Sequence, residues 1–438
     1  MKSNSSILLL VFFGVFLGAL DIAVIGPVLP ELKKIYALND LQVSWIFNAY
    51  VLTNLISTPL MASLSDKKGR RIIYIICQLL FGAGSALIAI SENPEMLLSG
   101  RVLQGFGAGG IFPLASAIIG DVFPPEKQGR ALGITGSVFG LAFLAGPPLG
   151  SWLLLYNWRW IFLLNVPLVL CMLIPAWRLL PKASDNNSTV HMKPILLLGL
   201  ALLCTAYGMS HLQHNLWQAS ALLPGIVFFR LWYIDNNKRE EPMLDPALLK
   251  NKQVRKVMLL AWGAGLGEVA VVFLPALAVE RFGVDAASGG FMLIPLVLAL
   301  AVGAPLAGRL LDRIGSAPVL FAGLILLALG LLGIGLNQEF SIISYYGNTI
   351  LIGLGLSALL GAPLRYILNQ ITGKHNRASG QSIISVSMST GQLMASSLAV
   401  PLARQSGNYG LLLIVLAGIT LLLMTQVQSS HKSNSIQA

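Results

Sequence analysis

Two six-helix bundles flanking a two-helix insert, fourteen transmembrane helices with both termini cytoplasmic, are the all-α polytopic membrane architecture this chain predicts. Three observations carry it. Of 438 residues, 55% are hydrophobic and only 11% charged, against about 25% charged in an ordinary soluble domain. Apolar runs close to the roughly 20 residues that cross a bilayer recur along almost the whole length. The gaps between certain runs also repeat at a fixed offset.

The apolar segments lie near 7–29, 43–64, 72–91, 97–119, 131–154, 160–178, 194–210, 216–234, 257–279, 289–308, 317–336, 342–363, 380–402 and 409–427. In the first, Lys2 precedes a run from Ile7 to Leu20, as in a secretory leader. No A-x-A-like site follows, and the run continues through Asp21 to Pro30, so an uncleaved first helix is expected. The seventh and eighth segments are the weakest, being short or carrying Arg230.

Orientation follows from the basic residues. With the N-terminus inside, 23 of the 29 Lys and Arg fall in cytoplasmic gaps, whereas the outside gaps hold Lys33, Lys34, Arg159, Arg281 and Arg404. That asymmetry is the positive-inside rule. Parity then requires that segments seven and eight both cross or neither does, a surface hairpin being the alternative.

Asp66-Lys67-Lys68-Gly69 after segment two matches Asp312-Arg313-Ile314-Gly315 after segment ten, 246 residues later. Lys127 and Arg130-Ala131-Leu132-Gly133 match Lys374 and Arg377-Ala378-Ser379-Gly380 at an offset of 247. The expected organisation is a bundle over 1–180, a linker with two extra helices over 181–250, a second bundle over 251–427 and a polar cytoplasmic tail over 428–438. Parallel halves of this kind place a site at their interface near the midplane, exposed to either side as the halves rock.

Several classes of function are excluded. The net charge of +11 would suit a nucleic-acid binder, but the charges sit in short gaps and form no basic patch. Cys77, Cys171 and Cys204 lie in separate apolar segments and signal neither a disulfide framework nor a metal site. A catalytic constellation is also missing: there is no His/Asp metal cluster, nucleophile elbow or phosphate loop, so neither an enzyme nor a bound cofactor is expected.

Within the membrane Asp21, Arg101 and Glu268 are the clearly ionisable residues away from helix ends. A charge at the bilayer centre costs about 2.5–3.5 kcal/mol on insertion scales, so they should face a cavity. Burial favours the neutral form of a carboxyl group and a nearby Arg favours the charged form, the balance a reversible proton carrier needs. The proton gradient would supply about 2.3 kcal/mol per charge per 100 mV. Gln104 lies on the helical face of Arg101 and is a candidate for substrate binding. Structural hydrogen bonding or ion pairing is the alternative role for each. Tyr50 and Asn54 are candidates for a binding wall, with Trp45, Asn48, Asn369 and Gln392 as weaker ones. Gly146 and Pro147, in a glycine- and proline-rich fifth helix, suit tight packing and a kink that controls leakage.

The run Ala62-Ser63-Leu64-Ser65-Asp66-Lys67-Lys68-Gly69-Arg70-Arg71 resembles the cytoplasmic signature of the major facilitator superfamily. Arg101-Val102-Leu103-Gln104-Gly105, Gly146-Pro147-Pro148-Leu149-Gly150 and Asn157-Trp158-Arg159-Trp160-Ile161-Phe162 with Asn165-Val166-Pro167 bring it nearest the fourteen-helix drug:proton antiporters. Ala23 and Gly26 stand where that family tends to have Thr and Asn, and Ser151 where it has Gly. The resemblance implies a proton-coupled exporter of small amphipathic or lipophilic compounds in a bacterial inner membrane, acting as a monomer with the bilayer, protons and substrate as its partners. A dedicated metabolite or lipid exporter is the close alternative. It also implies gates: Asp66 with Arg70 meeting the start of helix thirteen near Ser379 and Gly380, and, by the repeat, Asp312 and Arg313 facing helix five near Arg130.

Overall fold

The computed structural model describes residues 4–181, 192–212, 216–239, 242, 246–337, 341–360, 362–372, 377–406 and 409–434. All regular elements among them are helices: α1 (Asn4–Ile35), α2 (Asp40–Lys68), α3 (Arg70–Ala89), α4 (Pro94–Val122), α5 (Pro125–Leu154), α6 (Arg159–Leu163) and α7 (Asn165–Leu179). They continue with α8 (Met192–Ser210), α9 (Leu216–Ala219), α10 (Leu222–Asn237), α11 (Pro246–Lys250), α12 (Lys252–Phe282), α13 (Ala286–Phe291) and α14 (Ile294–Ile314). The last are α15 (Ser316–Gly335), α16 (Ile342–Leu360), α17 (Ala362–Thr372), α18 (Arg377–Ser406) and α19 (Gly410–Asn434). Among the described residues eleven helical stretches are long and apolar enough to cross a membrane. The segments expected second, fifth and eighth are not among them; of these α10 has 16 residues, short of the roughly 20 a bilayer needs.

The chain forms two compact units, Met1–Thr205 with Leu222–Asp235, and Ala206–Ala221 with Asn236–Ala438. In the first, α1 packs on α5, α2 on α4, and α3 on both α4 and α7. In the second, α12 packs on α18, α14 on α16, and α15 on both α16 and α19. The helix pairing of one unit therefore repeats in the other.

The repeated sequence motif has a backbone counterpart. Gly69 turns the chain from α2 into α3 at φ 92°, and Gly315 turns it from α14 into α15 at φ 82°. L-residues rarely adopt this region. Each glycine N–H closes the preceding helix, on the Ser65 carbonyl at 2.9 Å and on the Leu311 carbonyl at 3.0 Å. At the opposite helix ends Asn39, Asn93, Asn251 and Asp285 cap α2, α4, α12 and α13 with their side chains, satisfying N–H groups that a helix start leaves unpaired.

Within the first unit α8 and α10 form a pair. A Cβ at Gly225 would meet Thr205, one at Gly199 would meet Ile56 of α2, and Lys193 pairs with Asp235 at 3.2 Å. Trp152, Tyr156 and Trp160 are exposed together near the α5–α6 connection, a placement that suits the headgroup level of a membrane.

Candidate functional site

The first unit holds a buried polar cluster centred on Arg101 and Asp21, both fully buried. Small residues set its geometry. A Cβ at Gly84 of α3 would lie 2.7 Å from the Cα of Gln104, and one at Gly105 of α4 would lie 2.9 Å from the Cα of Tyr50. These glycines let α2 and α3 close on α4, and the α4 face carrying Arg101 and Gln104 is enclosed on three sides.

Arg101 Nη1 donates to Asp21 Oδ2 at 2.6 Å and to Gln104 Oε1 at 2.6 Å, and Nε donates to the Ile46 carbonyl at 3.0 Å. The guanidinium lies 4.4 Å from the centre of the Tyr50 ring, a cation–π distance. Gln104 Nε2 donates to Asp21 Oδ1 at 2.7 Å and to Ser85 Oγ at 2.8 Å. Asn165 Nδ2 reaches Ser85 Oγ at 3.2 Å and Asp21 Oδ1 at 3.5 Å. Residues of α4 and α7 thus bond the Asp21 carboxylate of α1 directly, and α2 and α3 join the same network through Arg101 and Gln104. Arg101 Nη2 is buried without an acceptor among the described residues.

Of the residues expected to line a binding wall, Tyr50 and Gln104 lie within this cluster instead. The Tyr50 hydroxyl donates to the Gly18 carbonyl at 3.1 Å, and Gln104 is fully buried. Asn54 is half-buried on α2 beneath them, Asn48 is fully buried, and the Asn369 side chain lies outside the described ones.

In the second unit Glu268 stands 247 residues after Asp21, the same offset as the second of the two repeated cytoplasmic motifs. It is buried on α12, the helix equivalent to α1, and accepts from Gln392 Nε2 of α18 at 2.7 Å. Gly265 and Gly391 permit this approach, since a Cβ at either would overlap the facing helix backbone. No cation pairs with Glu268 among the described residues, so the two carboxyls sit at matching positions in unlike surroundings.

Gly146 and Gly150 press α5 onto Ala23 and Val24 of α1. Pro147 is buried inside a continuous α5, and Ser151 Oγ donates to its carbonyl at 2.8 Å. At the α2–α3 corner Asp66 pairs with Arg70 within its own unit. Arg70 also bonds Asp121 Oδ2 at 3.2 Å and Ser65 Oγ at 2.6 Å. Asp312 and Arg313 are exposed at the end of α14 and, among the described residues, form no ion pair. The side chains of Arg130, Ser379 and Gly380 lie outside the described ones.

Sequence reasoning misses Ser85, Asn165 and Asp121 as members of these networks. The available signal is a polar residue inside an apolar run, but runs of this kind also hold residues such as Thr135 that only bond their own helix, to the Ala131 carbonyl at 2.9 Å. Arg159, expected as an outside charge, donates to the Ala89 carbonyl at 2.9 Å and the Ser91 carbonyl at 3.1 Å, capping the end of α3.

The pattern of the family described as Major Facilitator Superfamily matches residues 11–256 and 257–427. The chain is similar to the uncharacterized MFS-type transporter YfiU of Bacillus subtilis (strain 168), 32% identical over 91% of this chain and 79% of that one. It is similar to the multidrug transporter protein MdtP of the same organism, 29% identical over 79% of this chain and 65% of that one. It is also similar to the riboflavin transporter RibZ of Clostridioides difficile (strain 630), 26% identical over 82% of this chain and 79% of that one. Its fold matches a crystal structure of a D-xylose-proton symporter with a TM-score of 0.67 at 17% identity, over 97% of this chain and 98% of that one. The apolar helices, the repeated pairing and the family match across both units agree: this chain is a multi-pass membrane transporter that belongs to the Major Facilitator Superfamily.

Proposed function

We propose that the chain is a proton-coupled exporter of small amphipathic or lipophilic compounds, of the multidrug efflux type, working by alternating access. It does so with fourteen crossings and cytoplasmic termini in a bacterial inner membrane, as a monomer, with the proton gradient as its energy source and no bound cofactor. The observation that carries the reading is the pair of carboxyls, Asp21 and Glu268, buried at equivalent positions of the two units. A buried carboxyl is costly unless it has a partner or a proton. Asp21 has Arg101, Gln104 and Asn165 around it. Taking up a proton there removes the attraction to Arg101 and leaves one uncompensated positive charge, which loosens the junction of five helices. Cationic or polar substrate groups and the proton would then compete for the same carboxylate.

Asp66 and Arg70 fit a gate at the cytoplasmic end of α2, where a carboxylate at a helix C-terminus needs a nearby cation. Proton movement in everted vesicles on adding a panel of lipophilic cations tests the whole reading. The expected result is substrate-dependent proton efflux that Asp21→Asn abolishes and Glu268→Gln reduces; transport unchanged in both variants would refute it.

A second reading is a dedicated exporter of one endogenous metabolite or lipid; a relative named for a single compound, riboflavin, supports the single-substrate part of it. Comparing all small molecules retained by cells with and without the gene separates the two. One accumulated compound with an unchanged drug panel would select the metabolite exporter.

A further inference from the structure

The outer face of α10 carries a charge that its surroundings leave uncompensated. Gly225 and, two turns later, Trp232 are buried on the side that packs toward α8, while Leu223, Ile226, Val227, Arg230, Tyr233 and Ile234 are exposed. At about 3.6 residues per turn these six share one face, with Arg230 at its middle. Neither the Arg230 guanidinium nor the Tyr233 hydroxyl, one turn further on, has a partner among the described residues. Lys193 of α8 is 70% exposed and already paired with Asp235 at 3.2 Å. Asp235 follows Arg230 by five residues, about 7.5 Å along the axis. That ion pair marks the polar edge of the membrane at this end, and a long arginine side chain snorkels toward such an edge. A second copy of the chain brings no carboxylate to the depth of Arg230, since Asp21 and Glu268, the acids away from helix ends, are buried within their own units.

We infer that this face of α10 binds the phosphate of an anionic phospholipid, with Arg230 and the Tyr233 hydroxyl as headgroup ligands and Leu223, Ile226 and Val227 against an acyl chain. A guanidinium offers phosphate two parallel N–H donors, and the tyrosine hydroxyl adds a third donor. A zwitterionic lipid presents the same phosphate but brings its own ammonium, which competes with Arg230 for it. Only the anionic lipid leaves a negative charge for Arg230 to neutralise. The same contact explains how so short a helix sits in a bilayer. The 16 residues of α10 span about 24 Å, less than a hydrocarbon core of about 30 Å, and a headgroup drawn in to Arg230 thins the leaflet to match. The leaflet is the cytoplasmic one, where anionic lipids give the surface its negative potential; this assignment rests on the orientation in the proposed function.

The test places the purified full-length protein in phosphatidylcholine nanodiscs with a trace of photoactivatable phosphatidylglycerol or photoactivatable phosphatidylcholine, and maps the crosslinked peptides. Labelling of the α10 peptide by the phosphatidylglycerol probe should exceed that by the phosphatidylcholine probe at least fivefold. Arg230→Gln should remove the excess, Arg230→Lys should keep part of it, and Tyr233→Phe should lower it at least twofold. Both residues are exposed, so the variants should keep the parent melting temperature. Equal labelling by the two probes in the parent protein, or an excess that survives Arg230→Gln, would overturn the site. Suppression of the labelling by glycerol phosphate in the buffer would overturn it in favour of a free anion. Labelling lost wherever a nanodisc holds two copies would give the face to a second copy instead. Reaction of Lys193→Cys, above the parent level, with an impermeant maleimide outside intact cells would overturn the orientation and its fourteen crossings, a result separate from the lipid preference.

Discussion

Replacing Arg101 by Met removes the cation paired with Asp21 at 2.6 Å and keeps most of the side-chain volume. Breaking a fully buried ion pair by deleting one partner costs about 3–5 kcal/mol, since the remaining charge stays buried. Here Gln104 at 2.7 Å and Asn165 at 3.5 Å still donate to Asp21, which places the expected loss at the low end, about 3 kcal/mol. Adding Asp21→Asn removes the stranded charge. The double variant should lose less than the sum of the two single variants by about 0.5–3 kcal/mol, the coupling typical of residues in one buried network. Unfolding of the purified protein, titrated with SDS in mixed micelles, measures all four corners of the cycle. Additivity within about 0.5 kcal/mol would mean that the two residues are independent, and the argument from the buried pair would fall.

A methyl group at Gly391 would overlap the Trp262 carbonyl, whereas one at Gly418 meets nothing within 4 Å. Gly391→Ala should therefore cost about 1–3 kcal/mol and Gly418→Ala should be neutral or stabilise by up to about 1 kcal/mol, as read by the same unfolding titration. Gly69→Ala and Gly315→Ala should each cost about 1–3 kcal/mol, because alanine is forced to positive φ at both corners; melting temperatures in detergent that stay at the parent value would contradict this. Arg70→Ala should change stability by about 1 kcal/mol or less, its partners Asp66 and Asp121 being 42% and 48% exposed, while vesicle transport falls sharply. Hydrogen bonds from the Ser288 N–H and hydroxyl hold the Asp285 carboxyl below the usual aspartate range. Its folded value is lowered, so the cap stabilises above the ordinary aspartate value near 4 and loses that contribution as pH falls through the folded value. Asp285→Ala should cost about 0.5–2 kcal/mol at neutral pH, a difference that shrinks in acid; a pH-independent gap would argue against the charged cap.

Much of the fold is legible in the residues because lipid imposes a simple rule: each crossing must be long, apolar and helical. The segment from Asp66 to Gly69 and its copy at Asp312 to Gly315 show the duplication directly, and the structure gives both the same positive-φ corner. The eighth segment shows a limit of this legibility. From 216 to 234 the chain reads as one apolar run, yet α10 begins only at Leu222 and has 16 residues.

The site is legible in part. Asp21, Arg101 and Glu268 stand out because a charge in an apolar run has few explanations. Tyr50 and Gln104 read as binding-wall candidates and instead brace Arg101 and Asp21, since nothing in the local sequence tells which face of a helix meets which neighbour. Ser85 and Asn165 join them from α3 and α7, 80 residues apart in the chain. The matching offset of Asp21 and Glu268 is present in the sequence, but its meaning depends on knowing that α1 and α12 are equivalent.

By itself the sequence determines the lipid solvent, the recurrence of apolar segments and the duplicated corners, because these depend on local composition and on period. Only the tertiary structure decides that Arg101 is held by Asp21, Gln104 and the Ile46 carbonyl, and that Glu268 meets Gln392 with no cation beside it among the described residues. Those partnerships arise where glycines let helices far apart in the chain approach within backbone contact. Which helices do so is set by the packing of the whole unit rather than by any one segment.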